Sequence, residues 1–269
     1  MREQSASLEG LLTFEELAVR PARSREELRG AYRRVYWSYL HREYIEPNPS
    51  EMRLSLFNAF PTTVTFVSVL RGEVIATVTL VPQTGIGLPM DDIYGRELQK
   101  LRTAGRKLAE VTMLADRRLG DFRRSIPLVV LMMKRVFDYA TLVLKATDLC
   151  ITINPRHDAF YERYLLFKPL GPLRAYPSVK GNPALAKRLD LDAAEDLCRE
   201  NKRLRRQFFE QRTPIDLLEN RYQMTCEDLH HFFIQSAPVF LQAPREHLAV
   251  LRGIYPQCPW DEWAADWSS

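Results

Sequence analysis

The stretch Arg106–Ser125, RKLAEVTMLADRRLGDFRRS, decides the fold. Leu108 to Ala115 reads as a buried strand, because its apolar run is broken only at Glu110 and Thr112. At a period of two, Leu108, Glu110, Thr112 and Leu114 share one face, and Ala109, Val111, Met113 and Ala115 share the other. A carboxylate is costly to bury unpaired, so Glu110 needs either a partner or a task. A basic turn follows, holding Arg117, Arg118, Arg123 and Arg124, and Ser125 is placed to cap a long helix with Pro127 in its first turn. Strand, basic turn and helix N-terminus together form an anion-receiving device, suited to bringing a phosphate-bearing donor to a catalytic strand.

Downstream, Leu128, Leu131, Met132, Val136, Tyr139 and Val143 recur at helical spacing, and the Met pair reads as core. Asp148–Ile153 (DLCITI) is a short continuous apolar run, the pattern of a strand buried on both faces. NPRHDAFYERYLLFKPLGP then supplies a turn, a helix and the start of a strand, and Arg174 to Val179 one strand more. The order strand, basic turn, helix, strand, turn, helix predicts an α/β layered sheet with a crossover connection.

Upstream, Thr62–Leu70 and Val74–Val81 are β-rich runs joined by Arg71-Gly72-Glu73, which predicts a hairpin. A helix is expected from about Asp91 to Thr103. Ser24 with Glu27 forms a capping box ahead of Leu28, Tyr32, Val35, Tyr36 and Tyr39. The far side of that helix carries Arg29, Arg33, Arg34 and Arg42, read as a solvated basic face with a binding face as the alternative. Residues 1–23 read as a loosely docked lead-in. From about Pro183 the pattern becomes helical, through the charged Glu195–Arg212, a Thr225/Asp228 cap and a tail with three of the four tryptophans. The organisation expected is a lead-in 1–23, a main domain 24–191 and a helical extension 192–269.

The 269 residues are enough for a large core, and 38 basic against 34 acidic side chains leave only +4, which gives no support for nucleic-acid binding. Cys150, Cys198, Cys226 and Cys258 are scattered without metal-ligand spacing; they read as free thiols in a reducing compartment, with no metal site. No run is long enough to span a bilayer and no apolar leader opens the chain, so a cytoplasmic protein without an integral membrane segment is expected.

Several segments carry a resemblance. YIEPNP at 44–49, TVTLVPQTGIGLPMD at 77–91, RKLAEVTMLADRR at 106–118, TDLCITINPRHDAFYERYLLFKPLGP at 147–172 and the following RAYPSVKGNPA are similar in order and content to the GNAT superfamily of acyltransferases. Within it they resemble the long-chain N-acyl amino acid synthases, cousins of the acyl-homoserine-lactone autoinducer synthases. The resemblance covers roughly residues 24–191. It implies a GNAT-like mixed twisted sheet flanked by helices. It also implies transfer of a fatty acyl group from a thioester to the amine of an amino acid, with no permanently bound cofactor. The usual R-x-x-G-x-G/A pyrophosphate loop reads here Arg117-Arg118-Leu119-Gly120-Asp121-Phe122-Arg123. With one glycine and an aspartate inside, it is a poor dinucleotide cradle, and the donor expected is the 4'-phosphopantetheine thioester of an acyl carrier protein, with acyl-coenzyme A as the alternative. Thr79 and Met113 stand where autoinducer synthases tend to keep arginines, which argues against homoserine-lactone chemistry.

N-acylation needs a neutral amine, an outlet for its proton and hydrogen bonds for the developing oxyanion. Glu110 is the candidate base or relay, an arginine-paired structural carboxylate being the alternative. Backbone at Val111, Thr112 and Met113 is the candidate oxyanion and acyl-donor site, provided the sheet splays there. Arg117, Arg118, Arg123 and Ser125 are the candidate donor-binding groups. By the resemblance Tyr161 would protonate the leaving thiolate; otherwise it is a core aromatic. His157 is a candidate second proton carrier or a structural histidine, and Asn154 and Arg156 are candidate amino-acid ligands. A lipid product would also bring the protein into peripheral contact with a membrane. Two alternatives remain: an acyl-coenzyme-A-dependent enzyme acting on another amine, and a non-catalytic module that binds an acyl ligand or partner.

Overall fold

The computed structural model describes residues 18–117 and 122–266. Its centre is an eight-stranded mixed sheet in the order β1-β2-β3-β4-β5-β8-β6, with β7 pairing β8. The strands are β1 Ala18–Pro21, β2 Val64–Leu70, β3 Glu73–Pro82, β4 Leu108–Asp116, β5 Asp148–Ile153, β6 Lys168–Pro169, β7 Arg174–Tyr176 and β8 Asn182–Asp190. Helices α1 (Arg25–His41), α2 (Asp91–Thr103), α3 (Phe122–Asp138) and α4 (Asp158–Leu165) flank it. Shorter helices follow to Asp266. Among the described residues no helix is long and apolar enough to cross a membrane.

The predicted hairpin forms, with Leu70 opposite Glu73 and both turn residues at positive φ, 50° at Arg71 and 81° at Gly72. That is the two-residue turn whose twist matches the strands it joins. β4 and β5 are the parallel pair, joined through α3. At α1, the Ser24 hydroxyl accepts from the Glu27 N–H at 3.2 Å, so half of the expected box forms. The Glu27 carboxylate reaches one residue further back, accepting from the Arg23 N–H at 2.8 Å and from Arg20.

Five expectations are corrected. Ala18–Pro21 is an edge strand on β2, not a loose lead-in. α3 begins at Phe122, so Ser125 lies within its first turn instead of capping it. The helical pattern does not begin at Pro183: Asn182–Asp190 is a strand antiparallel to β5. Its alanines, lysine and arginine favour helix, but pairing overrides that preference, and Lys187, buried at the centre, is ion-paired to Asp158. The solvated reading of the α1 arginines holds for Arg33, half exposed and paired with Glu51 at 2.5 Å, but not for Arg34, which packs on β3 through the Val74 carbonyl and Glu73, nor for Arg42, which lines a cavity. Last, Cys226 and Cys258 form a disulfide, with Cα atoms 5.4 Å apart, while Cys150 and Cys198 are free and buried. A separation of 32 residues carries no spacing signal. Only the folding of the tail back onto helix Cys226–His230 brings the two together.

The segment after β8 contributes to two cores instead of making its own. Leu204, Phe208 and Leu218 join the cluster under α3, where Phe208 and Phe209 meet Phe137 edge-on. Phe232, Phe233, Phe240, Trp260 and Trp263 join the cluster on the other side of the sheet, where Phe232 meets Tyr32 of α1 edge-on. Each such side chain stabilises by about 1.5–3 kcal/mol on burial.

Candidate active site

The ladder between β4 and β5 runs from Leu108 opposite Asp148 to Val111 opposite Ile151 and stops there. β4 nevertheless continues to Asp116 and β5 to Ile153, so the two parallel strands splay. On its other side β4 carries a bulge: Thr112 faces Thr79 and Ala115 faces Thr77, leaving Met113 and Leu114 opposite Val78 alone. Met113 takes a left-handed φ of 52°, a conformation that costs a residue with a side chain roughly 1–2 kcal/mol.

The bulge corrects the simple alternation expected of this strand. Ala109 and Val111 face the core under α3, and so does Leu114. Met113 and Ala115 have changed sides and pack against Val35 and Tyr39 of α1. One extra residue reverses every later side chain, and nothing in an unbroken apolar run announces it.

The splay opens into a cavity of about 550 Å³ that passes through the sheet. That volume lies within the usual range for small-molecule sites. On the α3 side its wall is apolar, with Leu128, Val129, Met132, Val111 and Ile151. On the α1 side it is polar, with Tyr39, Arg42, Tyr44, Asn154, Arg156 and His157. Tyr161 also lines it.

The structure therefore brings together Val111, Thr112, Met113, Asn154, Arg156, His157 and Tyr161 in the wall of one cavity. Tyr161 is buried between Phe160 and Phe167, and burial pushes its phenol well above its ordinary value, so it stays protonated. The Asn154 side chain caps the following turn by accepting from the Arg156 N–H at 3.1 Å, and its amide donates to the Tyr44 hydroxyl at 3.2 Å. His157 accepts at Nε2 from the Arg156 side chain at 3.0 Å. Burial, with the charges of Arg156 and Arg42, pushes His157 down to about 4, which keeps it neutral near pH 7.

Glu110 lies outside that wall, on the opposite face of β4 from Val111. It is 1 % exposed and accepts a hydrogen bond from the Met90 N–H at 2.8 Å. Among the described residues no lysine or arginine pairs with it, so the arginine-paired alternative does not hold. Burial pushes its carboxyl up to about 8, with Asp91 and Asp92 adding to the effect. Tyr39, which does line the cavity, lies close enough to feel the Glu110 charge.

The basic turn is placed only in part. Arg117 is exposed and lies 3.4 Å from Glu73. Arg118 and the side chains of Arg123 and Ser125 lie outside the described residues. Reading the sequence missed Tyr39 and Tyr44 as cavity residues, gave Arg42 a binding face only as the alternative, and took Leu128 and Met132 for plain core. The aromatic and basic density of residues 39–44 was the available signal.

A mixed sheet that splays between its central parallel strands, with a cavity through the opening, defines a GNAT-like acyltransferase. The family model for the N-acyl amino acid synthase FeeM matches residues 30–190, and the chain belongs to that family. It is accordingly an N-acyltransferase. The solved structure of FeeM, an N-acyl amino acid synthase from uncultured soil microbes, is 30% identical over 66% of this chain and 93% of its own, with a TM-score of 0.57. The acyl-homoserine-lactone synthase LasI shares the fold at 13% identity, over 74% of this chain and 96% of its own, with a TM-score of 0.52. TofI, solved in a ternary complex with an inhibitor and MTA, does so at 16% identity over 66% and 92%, with a TM-score of 0.50. No curated protein sequence matches the chain.

Proposed function

We propose that the chain transfers a fatty acyl group from the thioester of an acyl carrier protein to the α-amine of an amino acid. The observation that carries this reading is the two-sided cavity: an apolar wall under α3 for an acyl chain and a polar wall beside α1 for an amino acid, meeting at the splay. In the reaction the neutral amine attacks the thioester carbonyl carbon. A C–N bond forms, the C–S bond breaks, and the amine proton leaves. Backbone of Val111–Met113, where the β5 ladder ends, is the oxyanion site. Glu110 takes the amine proton through a relay, for which Tyr39, on the cavity wall and within reach of the Glu110 charge, is the candidate link. A carboxyl near 8 is matched to that task at neutral pH. Tyr161 returns a proton to the leaving thiolate. Arg117, with Arg118, Arg123 and Ser125, receives the phosphate-bearing arm and its acidic carrier.

The test is incubation of the pure protein with acyl carrier protein and coenzyme A thioesters and a set of amino acids, with products followed by mass spectrometry. Accumulation of N-acyl amino acid from the carrier thioester is expected. Turnover of neither thioester would overturn the enzymatic reading. Turnover of the coenzyme A thioester alone would reverse the choice of donor.

A further inference from the structure

The polar wall contains a second arginine that the reading so far leaves without a task. Arg42 follows the last turn of α1, and Arg156 follows β5; both belong to the polar wall of one cavity. Both act on the same imidazole, since each contributes to keeping His157 neutral. Neither guanidinium has a carboxylate partner among the described residues. Arg42 donates through Nη1 to the Ser38 carbonyl at 2.9 Å and to the Ser38 hydroxyl, which anchors it to its own helix and leaves Nε and Nη2 uncommitted. Arg156 donates through Nε to His157, which leaves its two terminal nitrogens uncommitted.

We propose that Arg42 and Arg156 together clamp the α-carboxylate of the acceptor amino acid, with Arg42 as the specificity-determining partner. The proposal rests on the reading of the chain as an amino-acid N-acyltransferase. Three observations support it. The fork of an arginine matches the two oxygens of a carboxylate, and a charge-assisted pair in a partly enclosed wall is stronger than one in open water. Arg42 is the better anchored and the less exposed of the two, so it gives up less freedom on binding. The pair belongs to the polar wall, whereas the basic turn that receives the donor lies at the N-terminal end of α3. A carboxylate held in the polar wall leaves the amine one carbon away, free to turn toward the splay. His157, kept neutral beside the two arginines, adds no further cation to the wall.

The experiment compares each amino acid acylated by the unaltered chain with the matching decarboxylated amine, in the unaltered chain and in Arg42→Gln, Arg42→Lys and Arg156→Gln. The unaltered chain should favour the amino acid. Arg42→Gln should lower kcat/KM for the amino acid about ten- to hundredfold, mostly through KM, and leave the decarboxylated amine unchanged. Arg42→Lys should fall between them, because it keeps the charge and loses the fork. Taking a ratio of two substrates on one preparation removes any loss of folded protein. An unchanged preference in Arg42→Gln would overturn the clamp while leaving the acyltransferase reading intact. A parallel series with acyl-pantetheine, which lacks the phosphate, covers the other anion. If Arg42→Gln weakens only phosphorylated donors, the pair holds the donor and the proposal is wrong. Failure of the unaltered chain to acylate any amino acid would overturn the acceptor reading, and the clamp with it.

Discussion

Two regions of the molecule bury carboxylates and treat them in opposite ways. Asp138, Asp148 and Asp228 are fully buried, and each is held by cations and hydrogen-bond donors. Asp138 accepts from Lys134, from Arg212 at 3.3 Å and from the backbone and hydroxyl of Thr213. Asp148 lies between Arg106 and Arg188. Asp228 accepts from Arg25, Tyr222 and Thr225, and these bonds hold its carboxyl below the ordinary value despite burial. In β4, Glu110 has one backbone donor and, among the described residues, no cation, and it is pushed up to about 8. The first kind of carboxylate closes the structure: Asp138 and Asp228 tie the C-terminal segment to α3 and α1. The second kind stabilises nothing as an anion, and on the proposed reading it is kept for the proton it can accept.

The largest expected effect breaks that comparison if it fails. Glu110→Gln should keep shape and hydrogen bonding yet lose about two to four powers of ten in turnover, the usual contribution of a positioned base. Its stability should behave unlike that of any paired acid. The folded value, about 8, lies above the unfolded 4.5, so between those values the folded state keeps a proton that the unfolded state releases. The parent's stability from this group is therefore full below pH 4.5 and is lost as pH rises through 8. The Gln variant lacks that slope, and relative to the parent it should gain on the order of a few kcal/mol between pH 5 and pH 8. Urea unfolding at the two pH values, together with single-turnover rates, measures both. Near-normal turnover would move attention to His157.

Next in size is the paired counterpart. Asp138→Ala leaves Lys134, itself only 4 % exposed, without its anion, and should destabilise by about 3–5 kcal/mol. Turnover per folded molecule should be unchanged, because Asp138 is far along α3 from the cavity wall at Leu128–Met132. A urea midpoint near the parental one would show that the cluster is not what fastens the segment.

A third intervention tests the other fastening. Cys226→Ser with Cys258→Ser should cost about 2–4 kcal/mol, the range for a closed loop of this length. Reductant should destabilise the parent similarly and leave the double variant unaffected. If reductant shifts neither, the bridge contributes nothing to the fold in solution.

Strands β2–β5, the crossover and α1–α4 were legible because their periodicities are unbroken, and Glu110 was legible because it interrupts one. What could not be read depends on long-range pairing. β8 looks helical until it meets β5, and the reversal at Met113 needs the facing Thr77–Thr79 to be seen. Cys226 meets Cys258 only through the packing of aromatic side chains around Phe232 and Trp260. The cavity's polar wall was divided in the sequence between residues 39–44 and 154–157, more than a hundred positions apart. Only the Asn154 side of it announced itself.

The smallest effect concerns charges that are neither buried nor paired strongly. Arg117 is exposed, and its contact with the equally exposed Glu73 is 3.4 Å long, so as a surface pair it should add no more than about 1 kcal/mol to stability. Arg117→Glu should accordingly shift the urea midpoint little. If the basic turn receives an acidic carrier, the same change places a repelling charge on the docking surface. It should then raise KM for the carrier-bound thioester several-fold at low ionic strength. Exposed charges are screened over about 3 Å at 1 M salt, against roughly 30 Å at 0.01 M, so the difference should disappear as salt rises. A free acyl-pantetheine donor supplies the control: it has no carrier surface, and its KM should not respond to Arg117→Glu. A response equal for both donors would place Arg117 at the thioester arm instead of the carrier. No response for either would remove it from donor binding and leave it, like the arginines around Asp148, a purely structural charge.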